Sequence, residues 1–225
     1  MELKAEGVSR RYFRQGTGKN YFYAVEEANL CLTGGSLTVI TGRSGSGKST
    51  LLNILAGLLE PTAGQVFLDD VDLYRLSDAE RSRVRNRKIG VIPQGHTGLH
   101  SLTVMENVQL PGLMYGKSLA SEERAETILG RVGIAHLKNA YPGELSGGEL
   151  RRLSIARALI MEPLVLLADE PTGDLDDENT DLVLQLLRES ANDGMAVLLV
   201  THERDAAHYA DECYRMGEGI LRKET

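Results

Sequence analysis

The sequence has no tryptophan, three phenylalanines, six prolines and two cysteines among 225 residues. Few prolines, with 42% apolar and 25% charged residues, exclude collagen-like and wholly disordered chains. Cys31 and Cys213 lie far apart and belong to no CxxC or Cys/His cluster. A disulfide framework or zinc site is therefore not expected, and reduced cytosolic thiols are. No apolar run approaches the roughly 18 residues of a membrane span. The opening MELKAEGVSR lacks the apolar stretch of a secretory leader, so none is expected. Basic residues are outnumbered, 25 against 32 acidic, for a net charge of −7. Such a chain lacks the basic footprint of a general nucleic-acid binder. Its length suits one large domain, with room for an inserted subdomain and a core that needs no staples.

Three short apolar runs stand out: 37–40, 164–168 and 196–200. Each is of strand length, rich in Val, Ile and Leu, and without alternation. Strands covered on both faces read this way, so a parallel sheet is expected. Between the last two, Leu182, Val183, Leu186 and Leu187 mark one face of a helix that ends near Asp193-Gly194. Residues 1–35 and 61–73 read as a small antiparallel sheet beside this core. Helical patterns at 121–132 and 147–161 predict a helical insert over about 95–160. The run RSRVRNRK (81–88) carries Arg81, Arg83, Arg85, Arg87 and Lys88. It suits either a phosphate or lipid-headgroup contact, or a solvated helix end before a strand.

Residues 42–49 read Gly42-Arg43-Ser44-Gly45-Ser46-Gly47-Lys48-Ser49, with Thr50 next. This matches G-x4-G-K-[ST], the phosphate-binding P-loop. Glycines let the backbone wrap a polyphosphate with its N–H groups inward. The loop opens a helix, and a helix N-terminus favours anions. Lys48 can reach the outer phosphates, and the Ser49 hydroxyl can bind Mg²⁺. The context agrees, because an apolar run precedes the loop and a plausible helix over 48–57 follows.

The run 164–168 ends in Asp169-Glu170. Carboxylates at the C-terminal end of a parallel strand sit where open α/β sheets bind ligands. Asp169 can hold Mg²⁺ through its water shell, and Glu170 can polarise water toward a γ-phosphate. His202 follows the next strand and can hydrogen-bond a γ-phosphate oxygen. His96, His100, His136 and His208 show no ligand spacing.

Leu145-Ser146-Gly147-Gly148-Glu149 contains the S-x-x-E capping box. A cap alone does not call for two glycines, which cost about 1 kcal/mol each relative to alanine. Bare N–H groups at a positive helix end can instead grip a phosphate. The chain therefore carries two anion cradles. One nucleotide touches both only if they face each other, within a chain or across a dimer.

Taken together, the loop at 42–50, LSGGE (145–149), LVLLADE (164–170) and His202 resemble the ATP-binding-cassette (ABC) ATPases, in order and over essentially the whole chain. The resemblance implies an α/β P-loop NTPase fold: a RecA-like parallel sheet, a small antiparallel β subdomain and an inserted α-helical subdomain, all in one domain over 1–225. It implies ATP hydrolysis with Mg²⁺, and a head-to-tail homodimer with two ATP molecules between subunits. Each phosphate loop would face the other subunit's Ser146, Gly147 and Gly148. It assigns Gln94 to sensing Mg²⁺ and the transmembrane partner, Tyr12 to stacking on adenine with Phe13 as the neighbouring option, and Asp174-Leu175-Asp176 to the dimer interface. It implies separate transmembrane permease-type subunits that meet the chain near 95–120, a peripheral place on the cytoplasmic face of the membrane, and no direct nucleic-acid partner.

ADEPTGDLD (168–176), YPGELSGGE (141–149) and TVMENVQLP (103–111) resemble the subgroup of lipoprotein-release, macrolide- and peptide-export, and cell-division ATPases. Export or outward mechanical work is the implied activity. Regulation of cell-wall hydrolysis, or a soluble ABC ATPase acting on nucleic acid, are the alternatives. One departure is Pro93, where many relatives carry an aromatic before the glutamine. Proline lacks an N–H and distorts a strand end.

Overall fold

A computed structural model of the chain describes residues 1–13, 21–95, 98–114, 120–173, 175–203 and 205–224. The central sheet has six strands in the order β10-β9-β3-β8-β7-β6. These are β3 (Leu37–Thr41), β6 (Ile89–Ile92), β7 (Val165–Asp169), β8 (Ala196–Thr201), β9 (Glu212–Gly217) and β10 (Ile220–Lys223). All neighbours pair in parallel except the β9–β10 hairpin at one edge. A second sheet, β2-β1-β4-β5, is wholly antiparallel. It is built from β1 (Glu2–Phe13), β2 (Tyr21–Thr33), β4 (Ala63–Leu68) and β5 (Val71–Asp72).

The central strands are hydrophobic on both faces because each face has its own cover. Leu166 and Ala168 of β7, with Val197 and Leu199 of β8, join one apolar cluster. That cluster is filled by α3 (Val104–Leu113), α4 (Glu122–Arg131), α5 (Gly147–Leu159) and α6 (Asp177–Asn192). Val165, Leu167, Leu198 and Val200 point the other way. They pack on α1 (Lys48–Leu55) and the antiparallel sheet, through Leu51, Leu55, Leu3 and Leu30. Strand alternation then places Asp169, two residues beyond Leu167, on the α1 side.

One element departs from the sequence reading, and the basic run, a helix end directly before β6, agrees with it. Among the described residues, three α-helices lie between β6 and β7 rather than two patterns. The extra one, α3, contains Pro111 and has its own Thr103/Glu106 capping box. The basic run forms most of α2 (Asp78–Lys88), capped by Ser77 and Glu80. Part of its charge is already used. Arg81 pairs with Asp78 and lies over the Tyr74 ring, and Arg85 donates to the Gly57 carbonyl. Arg83, Arg87 and Lys88 are exposed.

Candidate active site

The loop between β3 and α1 sits at the C-terminal edge of the parallel sheet. Register brings the neighbouring strand ends to the same edge: Thr41 pairs with Thr201, Asp169 with Val200, and Ile92 with Ala168. Lys48, Glu170, His202 and Gln94 therefore emerge from four adjacent positions. This is where an open α/β sheet places its ligands.

The loop is held by its glycines. At Gly47 φ is +109°, and a Cβ there would lie 2.0 Å from the Ala24 carbonyl oxygen. A Cβ on Gly42 would lie 2.3 Å from the Met216 carbonyl oxygen. The loop is thus clamped between β2 and the end of β9. Gly45, at φ +76°, faces open space. Helix α1 begins without any side-chain cap, which leaves its first N–H groups free for an anion. The buried Ser46 hydroxyl also has no hydrogen-bond partner among the described residues.

Lys48, 5% exposed, crosses this cradle. Its Nζ donates to the carbonyls of Gly42 (2.8 Å) and Arg43 (3.3 Å) and lies 3.2 Å from Glu170 Oε1. The other Glu170 oxygen accepts from the His202 backbone N–H at 3.2 Å and lies 2.8 Å from His202 Nδ1. Glu170 has φ +46°, a left-handed backbone that costs a non-glycine residue on the order of 1 kcal/mol or more. The turn aims the carboxylate between lysine and histidine instead of continuing the strand. His202 remains open, with 61% of its side chain exposed. It faces a 780 Å³ cavity on the far flank of the loop, shared with Arg43 and Arg215.

Ser49 Oγ donates to Asp169 Oδ1 at 3.0 Å, as strand alternation requires. Burial holds the Asp169 carboxyl above the usual carboxylate range, against the opposing pull of the Ser49 hydroxyl and Lys48. A 480 Å³ cleft is lined by Tyr12, Phe22, Ala24, the 44–50 loop, Gln94 and Glu170. No three His, Cys, Asp or Glu among the described residues could hold a metal by themselves. Ser49, Gln94 and Asp169 offer oxygen donors of the kind Mg²⁺ accepts, and Mg²⁺ commonly arrives with phosphate ligands and keeps several waters. The donor set fits that ion.

Tyr12 lines the cleft, whereas Phe13 is 84% exposed. The pairing of β1 with β2 sets Tyr12 opposite Phe22, with ring centroids 5.9 Å apart. Phe22 has no motif around it in the sequence. Only the hairpin register reveals it, as the Met216–Gly219 turn behind the phosphate loop is revealed only by the sheet.

Ser146 and Gly147 are exposed at the start of α5. The capping box is complete: the Ser146 hydroxyl accepts from the Glu149 N–H, and Glu149 accepts from the Ser146 N–H at 2.7 Å. These bonds, the backbone one first, hold the Glu149 carboxyl below its ordinary range. Among the described residues, Gly147 has no heavy atom within 4 Å of a would-be Cβ, whereas a Cβ on Gly148 would meet Asn179 Oδ1 at 2.4 Å. Ser146, Gly147 and Gly148 do not line the cleft that holds Lys48. Asp176 caps α6 by accepting from the Asn179 N–H at 2.8 Å. Asp174 lies outside the described residues.

Residues 25–173 match the ABC transporter family. The chain belongs to that family. As an ABC cassette it is an ATP-binding ATPase with the P-loop α/β fold. The lipoprotein-releasing system ATP-binding protein LolD of Saccharophagus degradans is 42% identical over 198 residues, 87% of each chain. The protein of the same name from Acinetobacter baylyi is 41% identical over 221 residues, covering 97% of this chain and 96% of that one. Among solved structures, the dimeric bacterial ABC transporter cassette MJ0796 superposes with a TM-score of 0.89 at 35% identity, covering 99% of this chain and 98% of that one. The same cassette in a post-hydrolysis state bound to ADP and Pi gives the same score. No helix among the described residues of this ABC cassette is long and apolar enough to cross a membrane.

Proposed function

We propose that this ATPase powers a lipoprotein-releasing type of ABC complex, as a homodimer that closes on two ATP molecules and Mg²⁺ and drives separate transmembrane subunits from the cytoplasmic face of the membrane. The observation that carries the chemistry is Glu170, fixed between Lys48 and His202 at the mouth of the phosphate cradle. Phosphoryl transfer needs positioning and charge neutralisation more than covalent help. The uncapped start of α1 and Lys48 hold the phosphates, and Tyr12 stacks on the base beside Phe22. Ser49, with Gln94 and Asp169 around it, holds Mg²⁺, which supplies charge neutralisation when bound. Lys48 exchanges its Glu170 contact for a phosphate oxygen, which frees Oε1 for water. Water attacks the γ-phosphorus while the bond to the β,γ-bridging oxygen breaks. Glu170 takes the water proton, ADP leaves with the electron pair, and His202 keeps the carboxylate in line.

The second cradle at Ser146–Gly148 serves the other subunit's nucleotide. Its absence from the lining of the cleft, and its open face at Gly147 among the described residues, support this. We assign the region near 95–120, after Gln94, to coupling. A 500 Å³ groove runs between α2, β6, α3 and α5, lined by Arg85, Asn86, Leu110, Met114 and Met161. It borders the region after Gln94 and offers the transmembrane subunits an apolar floor with a basic wall.

The test is Glu170→Gln. Loss of a general base lowers turnover by about 10²–10⁴-fold, and ATP-bound dimers accumulate in sedimentation. Turnover at the parental rate overturns the assignment of Glu170. Affinity capture of the same variant from native membranes with Mg-ATP recovers a membrane subunit that crosslinks into the α2–α3 groove. Recovery of nucleic-acid-bound or soluble partners alone overturns the membrane role and leaves the ATP chemistry standing.

A further inference from the structure

Arg151 lies one turn into α5, on the helix face that carries Gly147 and Gly148. It is 2% exposed. It is not among the residues that line the nucleotide cleft. It donates to the carbonyl of Pro93 at 3.1 Å and to that of Gly95 at 3.3 Å. Those two residues bracket Gln94, which lines the nucleotide cleft. Proline fixes its own φ, and Gly95 turns the chain at φ +83°, a conformation suited to glycine. Both carbonyls are tied to one planar, permanently charged group, and charge-assisted bonds are about twice as strong as neutral ones.

We propose that Arg151 is a positioning residue that makes the Gln94 loop and the Ser146–Gly148 cradle one mechanical unit. A shift of Gln94 toward a bound nucleotide then carries the start of α5 with it. Each subunit's own nucleotide thereby sets the cradle that it offers to its partner. Pro93 fits this reading. A hinge at Gln94 would let the side chain move alone, whereas a loop anchored to α5 transmits the movement. The link within one chain stands on the contacts above; its consequence for the second nucleotide rests on the dimer proposed above.

The test uses the full chain and the variants Arg151→Met and Arg151→Lys, diluted until each is monomeric. Hydrogen exchange is followed in peptides covering 93–95 and 146–150, with and without Mg-ADP. In the parent, nucleotide changes exchange in both segments. In Arg151→Met the response at 93–95 persists and that at 146–150 is lost, with nucleotide affinity within about threefold of the parent. Turnover, measured separately at concentrations where dimers form, falls about tenfold at unchanged KM, a coupling of ordinary allosteric size. Arg151→Lys, which keeps a charged donor, restores part of both readouts. The proposal is overturned if the parent shows no response at 146–150, or if Arg151→Met keeps that response and the parental turnover. Should Arg151→Met fail to fold, the parent and Arg151→Lys decide: a lysine response at 146–150 equal to the parent's, with turnover cut tenfold, also overturns it. Failure of the dimer reading is seen separately, as absence of ATP-driven dimers in Glu170→Gln, and leaves the monomer exchange result untouched.

Discussion

Replacing Gly147 by alanine separates what the chain needs for folding from what it needs for a ligand. Gly147 is the first residue of α5, does not have positive φ, and has no heavy atom within 4 Å of an added Cβ. Among the described residues, therefore, alanine meets nothing. It also removes some of glycine's excess backbone freedom in the unfolded state, worth about 0.5–1 kcal/mol in a helix. For a domain of this size, 1 kcal/mol moves the unfolding temperature by roughly 2–4 °C. Gly147→Ala is thus expected to unfold a few degrees higher than the parent without nucleotide, by scanning fluorimetry.

Turnover should move the other way. If the partner's phosphates approach the bare N–H groups here, a methyl of about 1.5 Å reach holds them off. Misplacement of about 1 Å at a reacting centre costs on the order of 10²-fold. Steady-state ATPase at saturating Mg-ATP should then fall by about that factor, and ATP-driven dimers in the Glu170→Gln background should need more protein to form. ATP binding to the monomer should be unaffected, because Gly147 does not line the cleft. A variant that is both stabilised and active within twofold of the parent would refute the close approach, and with it the role of the second cradle.

Gly148→Ala is the contrasting case. Its Cβ would lie 2.4 Å from Asn179 Oδ1, so overpacking should lower stability by about 1–3 kcal/mol, seen as a lower denaturation midpoint in urea. Lys48→Met should weaken ATP binding itself by at least about tenfold, the factor for roughly 1.4 kcal/mol; an unchanged fluorescence titration would count against the phosphate cradle. Asp169 carries a raised carboxyl pKa through burial, so the folded state holds its proton more tightly than the unfolded one. Its contribution to stability is present below the unfolded value and lost as pH rises through the raised folded value. Asp169→Asn should accordingly stabilise the nucleotide-free protein at neutral pH while weakening its Mg²⁺ dependence, and a parental Mg²⁺ titration curve would remove Asp169 from the metal's surroundings. Glu149 has the opposite sign: its lowered pKa contributes stability above the unfolded value that is lost as pH falls through the folded one. Glu149→Gln, which keeps the capping geometry, should flatten the acid limb of the unfolding curve.

The parts of the site legible in sequence are those whose chemistry is local. Gly42 to Ser49 declare themselves because a polyphosphate is gripped by consecutive N–H groups, and consecutive residues form a motif. Asp169 and Glu170 are legible because a doubly covered strand reads as an unbroken apolar run, and carboxylates at its end, common enough alone, gain meaning beside a phosphate loop. What stays hidden is whatever depends on which strand lies next to which. Phe22 reaches Tyr12 only through the β1–β2 register. Met216 closes on Gly42 only because β9 pairs with β3. Helix α3 is obscured by Pro111, which counts against a helix on local grounds although the fold carries it. Arg151 is the sharpest instance. Beside Arg152 on a helix, a second arginine reads as one more solvated charge. Burial against the Pro93 and Gly95 carbonyls, 58 and 56 residues away in sequence, makes it a tie between two loops. The distortion that Pro93 implies is visible in sequence, while the group that holds the distorted loop is not. Local patterns thus locate the atoms that meet the phosphates, and tertiary contacts decide which of those atoms move together.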